Sequence, residues 1–219
     1  MTRASSNLLS RSITLLVLLA YGLSGVVALA YEVLWARMLS LQLGVSIFGV
    51  VLTVAAFMAG LGLGSLWGAR WAGKVARPLL VVAALEAAVA LYALLLPTLQ
   101  AGVADWVNAS AVGGSLMHWY GLQGGAALLF MLLPAVAMGL GFPLVLRALA
   151  REDSADSLGY VYGINIFGGM LGALLPLVLL PSMGWTSAVR SVAVLGLMAA
   201  LLLAVAAWRV PSSPREVVV

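Results

Sequence analysis

Cysteine is absent, and histidine occurs once, as His118. The first absence excludes disulfides, thiolate nucleophiles, iron–sulfur clusters and cysteine-ligated metals. The second leaves too few ligands for a histidine-based metal site. Charge is scarce as well. Asp, Glu, Lys and Arg make up 8% of the 219 residues, against about 25% in a soluble domain. That ratio excludes both a soluble globule and a disordered chain. In place of charge stand 64% hydrophobic residues and a mean hydropathy of +1.15. Basic residues outnumber acidic ones 11 to 7, and the pI is near 9.9. In so apolar a chain that excess points to basic loops beside a membrane, not to nucleic acid. No cofactor is expected.

A membrane-spanning helix needs about 20 mostly apolar residues. Hydropathy predicts six such spans. They run about Ser12 to Ala30 (with a helical extension towards Met38), Val45 to Trp67, Pro78 to Leu96, Tyr120 to Leu146, Gly159 to Leu180 and Thr186 to Trp208. The predicted fold class is an all-α integral membrane protein, a six-helix bundle that can divide into two inverted three-helix repeats. Residues 1–11 form an N-terminal segment, 12–208 the membrane domain and 209–219 a tail with Pro211 and Pro214 that reads as disordered. Pro78 suits a first helical turn and Pro97 a stop. Between Leu99 and His118 a short interfacial helix around Val103 to Val107 is expected, with Trp106 at headgroup depth.

The cations orient the bundle. In an alternating six-span chain, Arg3, Arg11, Arg70, Lys74, Arg77, Arg147, Arg151, Arg209 and Arg215 share one side, and Arg37 and Arg190 fall on the other. Both termini are then cytoplasmic. A long first apolar run without a convincing cleavage site argues against a removable signal peptide.

Small residues recur at helical spacing. Gly60, Gly64 and Gly68 share a face of span two. In span five Gly159 pairs with Gly163, and Gly168 with Gly172. Such faces let two membrane helices approach closely, either within the bundle or as a seam for a partner or a second copy. Gly60-Leu-Gly-Leu-Gly64 follows no strand, so it does not read as a phosphate loop. Pro134 and Pro143 in span four and Pro176 in span five each remove a backbone donor and mark candidate kinks. Kinks can be static, or can line cavities in transporters.

Four charges stand close to or inside the apolar zone: Glu32, Arg37, Glu86 and Arg190. Ionisable groups at membrane depth are costly and usually face the bundle interior with a partner. Glu32 lies in Tyr31-Glu-Val-Leu-Trp35-Ala-Arg37. Tyr31 and Trp35 are one turn apart and are expected to stack. Glu32 and Arg37 diverge by about 140° of helix rotation, so Glu32 is expected to find another partner, for example Arg190. It reads either as a carboxylate that recognises a cation beside aromatic rings or as half of a structural ion pair. Glu86 reads either as a proton- or cation-linked site or as a hydrogen-bond partner of Asn165. His118 reads as a solvated loop residue.

Taken together, several strings resemble one family. They are Ala28-Leu-Ala-Tyr-Glu-Val-Leu-Trp-Ala-Arg37, Ala56-Phe-Met-Ala-Gly-Leu-Gly-Leu-Gly-Ser65, Leu133-Pro-Ala-Val-Ala-Met-Gly-Leu-Gly-Phe-Pro143, Gly159-Tyr-Val-Tyr-Gly-Ile-Asn-Ile-Phe-Gly168 and Leu180-Pro-Ser-Met-Gly184. The chain resembles, over about residues 15 to 208, the membrane domain of bacterial membrane-bound spermidine synthase-like proteins. Those are major-facilitator-like segments fused to a soluble aminopropyltransferase. The resemblance implies a bacterial inner membrane location. It also implies a transferase domain after the membrane domain, and this sequence, which stops at Val219, holds no counterpart to it. The chain itself is therefore expected not to be an enzyme. Gly64 to Lys74 resembles a degraded facilitator loop without its acidic residue.

Three functions remain open. The leading expectation is a non-enzymatic membrane subunit or scaffold, lying in a lipid bilayer against a partner membrane protein or a homo-oligomer mate. The second is a half-transporter-like module for a polyamine or other small organic cation. The third is a membrane anchor for a separately encoded aminopropyltransferase. None involves nucleic acid.

Overall fold

A run of Leu, Val and Ala long enough to cross a bilayer satisfies its backbone hydrogen bonds only as a helix, and helix is what the chain forms. The computed structural model describes residues 3–42, 47–110, 115–149 and 154–209. The elements are α1 (Arg3–Gln42), α2 (Ile47–Ala72), α3 (Pro78–Ser110), α4 (Leu116–Leu149) and α5 (Ser154–Arg209). Five helices are long and apolar enough to span a membrane, and no strand occurs among the described residues. Of the tail expected over 209–219, Arg209 closes α5, and 210–219 lie outside the described residues, as does Arg151.

One expectation about helix ends needs correction. Pro97 does not stop α3, which runs on to Ser110 and absorbs the short helix expected near Val103. A proline removes one helical hydrogen bond, and the apolar residues on either side keep the helix as the cheapest way to pair the rest. The break in α5 comes at Gly184, inside the connection expected between Leu180 and Thr186, and Pro176 lies within the helix before it. There two helices, 154–183 (α5a) and 185–209 (α5b), meet at φ 71°, ψ 180°, a conformation open essentially to glycine alone. Just before it Pro181 lacks an N–H, and the Ser182 hydroxyl donates back to the Val178 carbonyl at 2.6 Å.

The chain reverses at that break. Val161, early in α5a, shares a buried apolar cluster with Leu203 and Ala206, late in α5b. Leu179, Leu180, Trp185 and Ala188, on either side of Gly184, belong to the other cluster. The bundle thus has two apolar layers. One holds Val17, Leu79, Val82, Leu144 and Val145. The other holds Tyr31, Trp35, Phe57, Leu96, Met131 and Val192.

Glycine sets the closest helix contacts. A methyl group at Gly64 would collide with the Val136 carbonyl, and one at Gly139 with the Leu61 carbonyl. At Gly68 it would meet the Leu140 carbonyl at 3.0 Å. Across the bundle, a methyl at Gly168 would strike the Gly22 carbonyl, one at Gly25 the Asn165 carbonyl, and one at Gly172 the Val26 carbonyl. In both pairs the contacts advance together along the two helices, so α2 runs parallel to α4, and α1 parallel to α5a.

The two sets also match position by position. Leu61, Gly64 and Gly68 correspond to Asn165, Gly168 and Gly172 at one constant shift in numbering. Val136, Gly139 and Leu140 correspond to Gly22, Gly25 and Val26 at another. One mode of helix packing is therefore used twice. The expected stripe of span five splits: Gly168 and Gly172 face α1, whereas Gly159 and Gly163 face open space, as does Gly62 in α2.

Overpacking a tight contact costs about 1–3 kcal/mol. Gly64→Val and Gly172→Val are expected to lower the thermal stability of the detergent-solubilised protein, whereas Gly62→Val and Gly163→Val leave it nearly unchanged. Equal effects at all four positions would overturn this packing.

Candidate functional site

At about 100° of rotation per residue, α1 carries two distinct faces. Gly22, Gly25, Val26 and Leu29 lie along α5a. Tyr21, Ser24, Tyr31, Glu32 and Trp35 form a second stripe, all buried. Glycine on the first face allows close approach, and the second turns every polar and aromatic group of the helix's middle away from lipid.

Glu86 sits about two turns into α3, between Ala83 of one apolar layer and Val89 of the other. Ser24 holds the same level on α1. The Ser24 hydroxyl donates to Glu86 Oε1, and this polar contact separates the two layers. Asn165, one of the partners considered for Glu86, bonds elsewhere. Its Nδ2 donates to the Tyr21 carbonyl at 3.0 Å and fastens α5a to α1. The reason is the parallel pairing, which turns Asn165 onto α1 and leaves α3 out of its reach. Ser24 has no motif to announce it. The sequence signal is a small hydroxyl residue in the middle of an apolar span, three residues after Tyr21.

The Tyr31 and Trp35 rings stack at 4.8 Å between centroids and 4° between planes. Tyr92 of α3 meets Trp35 edge-on at 6.0 Å and 86°, an arrangement favoured by the ring quadrupoles. Its hydroxyl donates to the Phe130 carbonyl at 2.8 Å, so Tyr92 ties α3 to α4. Tyr31 Oη, Glu32 Oε2 and Trp35 Nε1 are buried with no hydrogen-bond partner in the structure. Gln100 Nε2, two turns beyond Tyr92 on α3, is in the same state.

Glu32 does not pair with Arg190, which is exposed. Arg37 is exposed too. Of the seven candidate polar residues, the structure brings Tyr31, Glu32 and Trp35 together and places Glu86 on the next level down. Asn165 belongs to the helix-pair contact. Arg37 and Arg190 stand at the rim. Pro134 and Pro143 lie within the single helix α4, and Pro176 within α5a. Among the described residues no group of His, Asp and Glu could hold a metal ion.

A net hydrogen bond contributes about 1 kcal/mol, and a buried polar group left unpaired costs about 1–3 kcal/mol. Ser24→Ala is therefore expected to destabilise the detergent-solubilised protein more than Tyr92→Phe, because it strips a buried carboxylate of its donor. Thermal unfolding of the two variants checks the order, and the reverse order would remove the Ser24–Glu86 contact from its place at the centre of the bundle.

Comparison with protein-family models, with curated proteins and with solved structures finds no match for this chain, so its functional reading rests on the residues of α1 and α3 described above.

Proposed function

We propose that the chain is a non-enzymatic multi-pass membrane module that binds a small organic cation within the bilayer, in the manner of half a transporter. The observation that carries this reading is the polar interior of α1 and α3. Glu86, Glu32, Tyr31 and Trp35 are all turned inward in a chain with 7 acidic residues in total. Carboxylates at membrane depth usually mark a path or site for a solute or ion.

In this proposal α5a and α5b cross separately, which gives six spans. The parallel pairs α2·α4 and α1·α5a are what six alternating spans require. Their position-by-position match supports two inverted three-helix repeats, an arrangement common in secondary transporters. Arg147 reaches to 3.6 Å from where a methyl at Gly73 would lie, which supports placing the basic loops together, on the cytoplasmic side of a bacterial inner membrane with both termini.

A second reading, a subunit seated against another membrane protein, draws on Gly62, Gly159 and Gly163. All three face open space, and Gly159 and Gly163 flank the exposed rings of Tyr160 and Tyr162 in the chain. The resemblance to spermidine synthase-like membrane domains keeps a third role, anchoring a transferase encoded elsewhere, as an extension of the second.

Two experiments test the proposal. The chain has no native cysteine, so single cysteines report topology cleanly. With an impermeant maleimide, Lys74→Cys and Ser187→Cys are expected to label from opposite sides of the membrane; labelling from the same side removes the six-span topology. In proteoliposomes, Glu32→Gln and Glu86→Gln are each expected to reduce uptake of small organic cations about tenfold or more, from the loss of a charge-assisted contact. Unchanged uptake in both would sink the assignment.

A further inference from the structure

The unpaired atoms of the α1 stripe differ in kind, and the difference specifies a ligand. Glu32 Oε2 is an acceptor, Trp35 Nε1–H is a donor only, and the Tyr31 hydroxyl can do either. All three lie within about one turn of one helix. Trp35 is 1% exposed, Tyr31 0% and Glu32 9%. Folded proteins leave few buried polar groups unpaired, and three in one turn is a concentration that neither the Ser24–Glu86 contact nor the Tyr92 hydrogen bond relieves.

A simple alkylammonium brings only donors. It would satisfy Glu32 with an N–H and a positive charge, and the neighbouring rings would favour the charge. It would leave the Trp35 N–H without an acceptor, at the cost of an unpaired buried donor. A neutral oxygen on the same molecule removes that cost. A carboxylate in its place would bring a second negative charge beside Glu32 without an added cation.

We infer that Tyr31, Glu32 and Trp35 form a recognition site for a small organic ammonium compound that also carries a neutral acceptor oxygen, such as an amino alcohol, amino ether or amino amide. In it the ammonium lies against Glu32 and the oxygen accepts from Trp35 Nε1–H. The Tyr31 hydroxyl completes the shell of either group. Tyr92 is a positioning residue: its hydroxyl is held by the Phe130 carbonyl, and its ring edge fixes the Trp35 plane. This inference rests on the organic-cation reading and narrows it from cations in general to one class.

The test measures direct binding of radiolabelled 3-methoxypropylamine to the full chain in lipid nanodiscs, with butylamine and methyl propyl ether as competitors. The ether-amine is expected to bind about tenfold more tightly than butylamine, the margin of one well-placed hydrogen bond, and methyl propyl ether is expected not to compete. Trp35→Phe keeps a ring and removes the N–H, and is expected to erase the preference for the ether-amine over butylamine while binding of both amines persists. Glu32→Gln is expected to weaken both amines together. Equal affinity for the two amines in the unmodified protein, or a preference that survives Trp35→Phe, overturns the inference and leaves the organic-cation reading standing. Binding of neither amine overturns the site, and absence of any cation uptake that depends on Glu32 or Glu86 overturns the broader reading as well.

Discussion

The bundle depends on carbonyl oxygens of one helix lying where a side chain of its neighbour would be. Between apolar helices in lipid there is little hydrophobic gain from association, so close backbone packing has to supply the attraction. Gly64 and Gly139 do this between α2 and α4, and Gly25, Gly168 and Gly172 do it between α1 and α5a. Each pair is parallel and each is locked at several successive levels, which makes it a stiff unit. The same register appears in both, so the two pairs constrain the central elements, α3 and α5b, from two sides in equivalent ways.

That constraint explains where the polar groups can go. With one face of α1 committed to α5a, the other must turn toward α3, and Tyr21, Ser24, Tyr31, Glu32 and Trp35 turn with it. Glu86 meets Ser24 at the one level where the two apolar layers leave room for a polar contact. The aromatic groups fill the layer beyond it, where α1, α2, α3, α4 and α5b all contribute side chains. Close packing on one face of a single helix and a polar interior on the other are thus two consequences of the same sequence pattern.

Much of this was legible in the residues. The scarcity of charge and the long apolar runs mark a helical membrane protein, and the stacking of Tyr31 on Trp35 follows from their spacing. Gly60, Gly64 and Gly68 announce a helix contact. The partner of each group was not legible. Asn165 was one candidate partner for Glu86 and instead holds the Tyr21 carbonyl. Arg190 was one candidate partner for Glu32; Glu32 is buried and Arg190 is exposed. Pro97 reads as a stop and is carried within a helix.

The sequence by itself determined the solvent this chain belongs in, because hydropathy sums over residues whatever their neighbours. It determined helix as the local structure, because hydrocarbon offers backbone groups no other partner. It determined which faces of α1 differ, because helical periodicity is fixed. Only the tertiary structure decided which face meets which helix, that Ser24 serves Glu86, and that Tyr31 Oη, Glu32 Oε2 and Trp35 Nε1 are buried and unpaired. Those depend on contacts between residues far apart in the chain, such as Ser24 with Glu86 and Tyr21 with Asn165, and their spacing along the sequence carries no information about them.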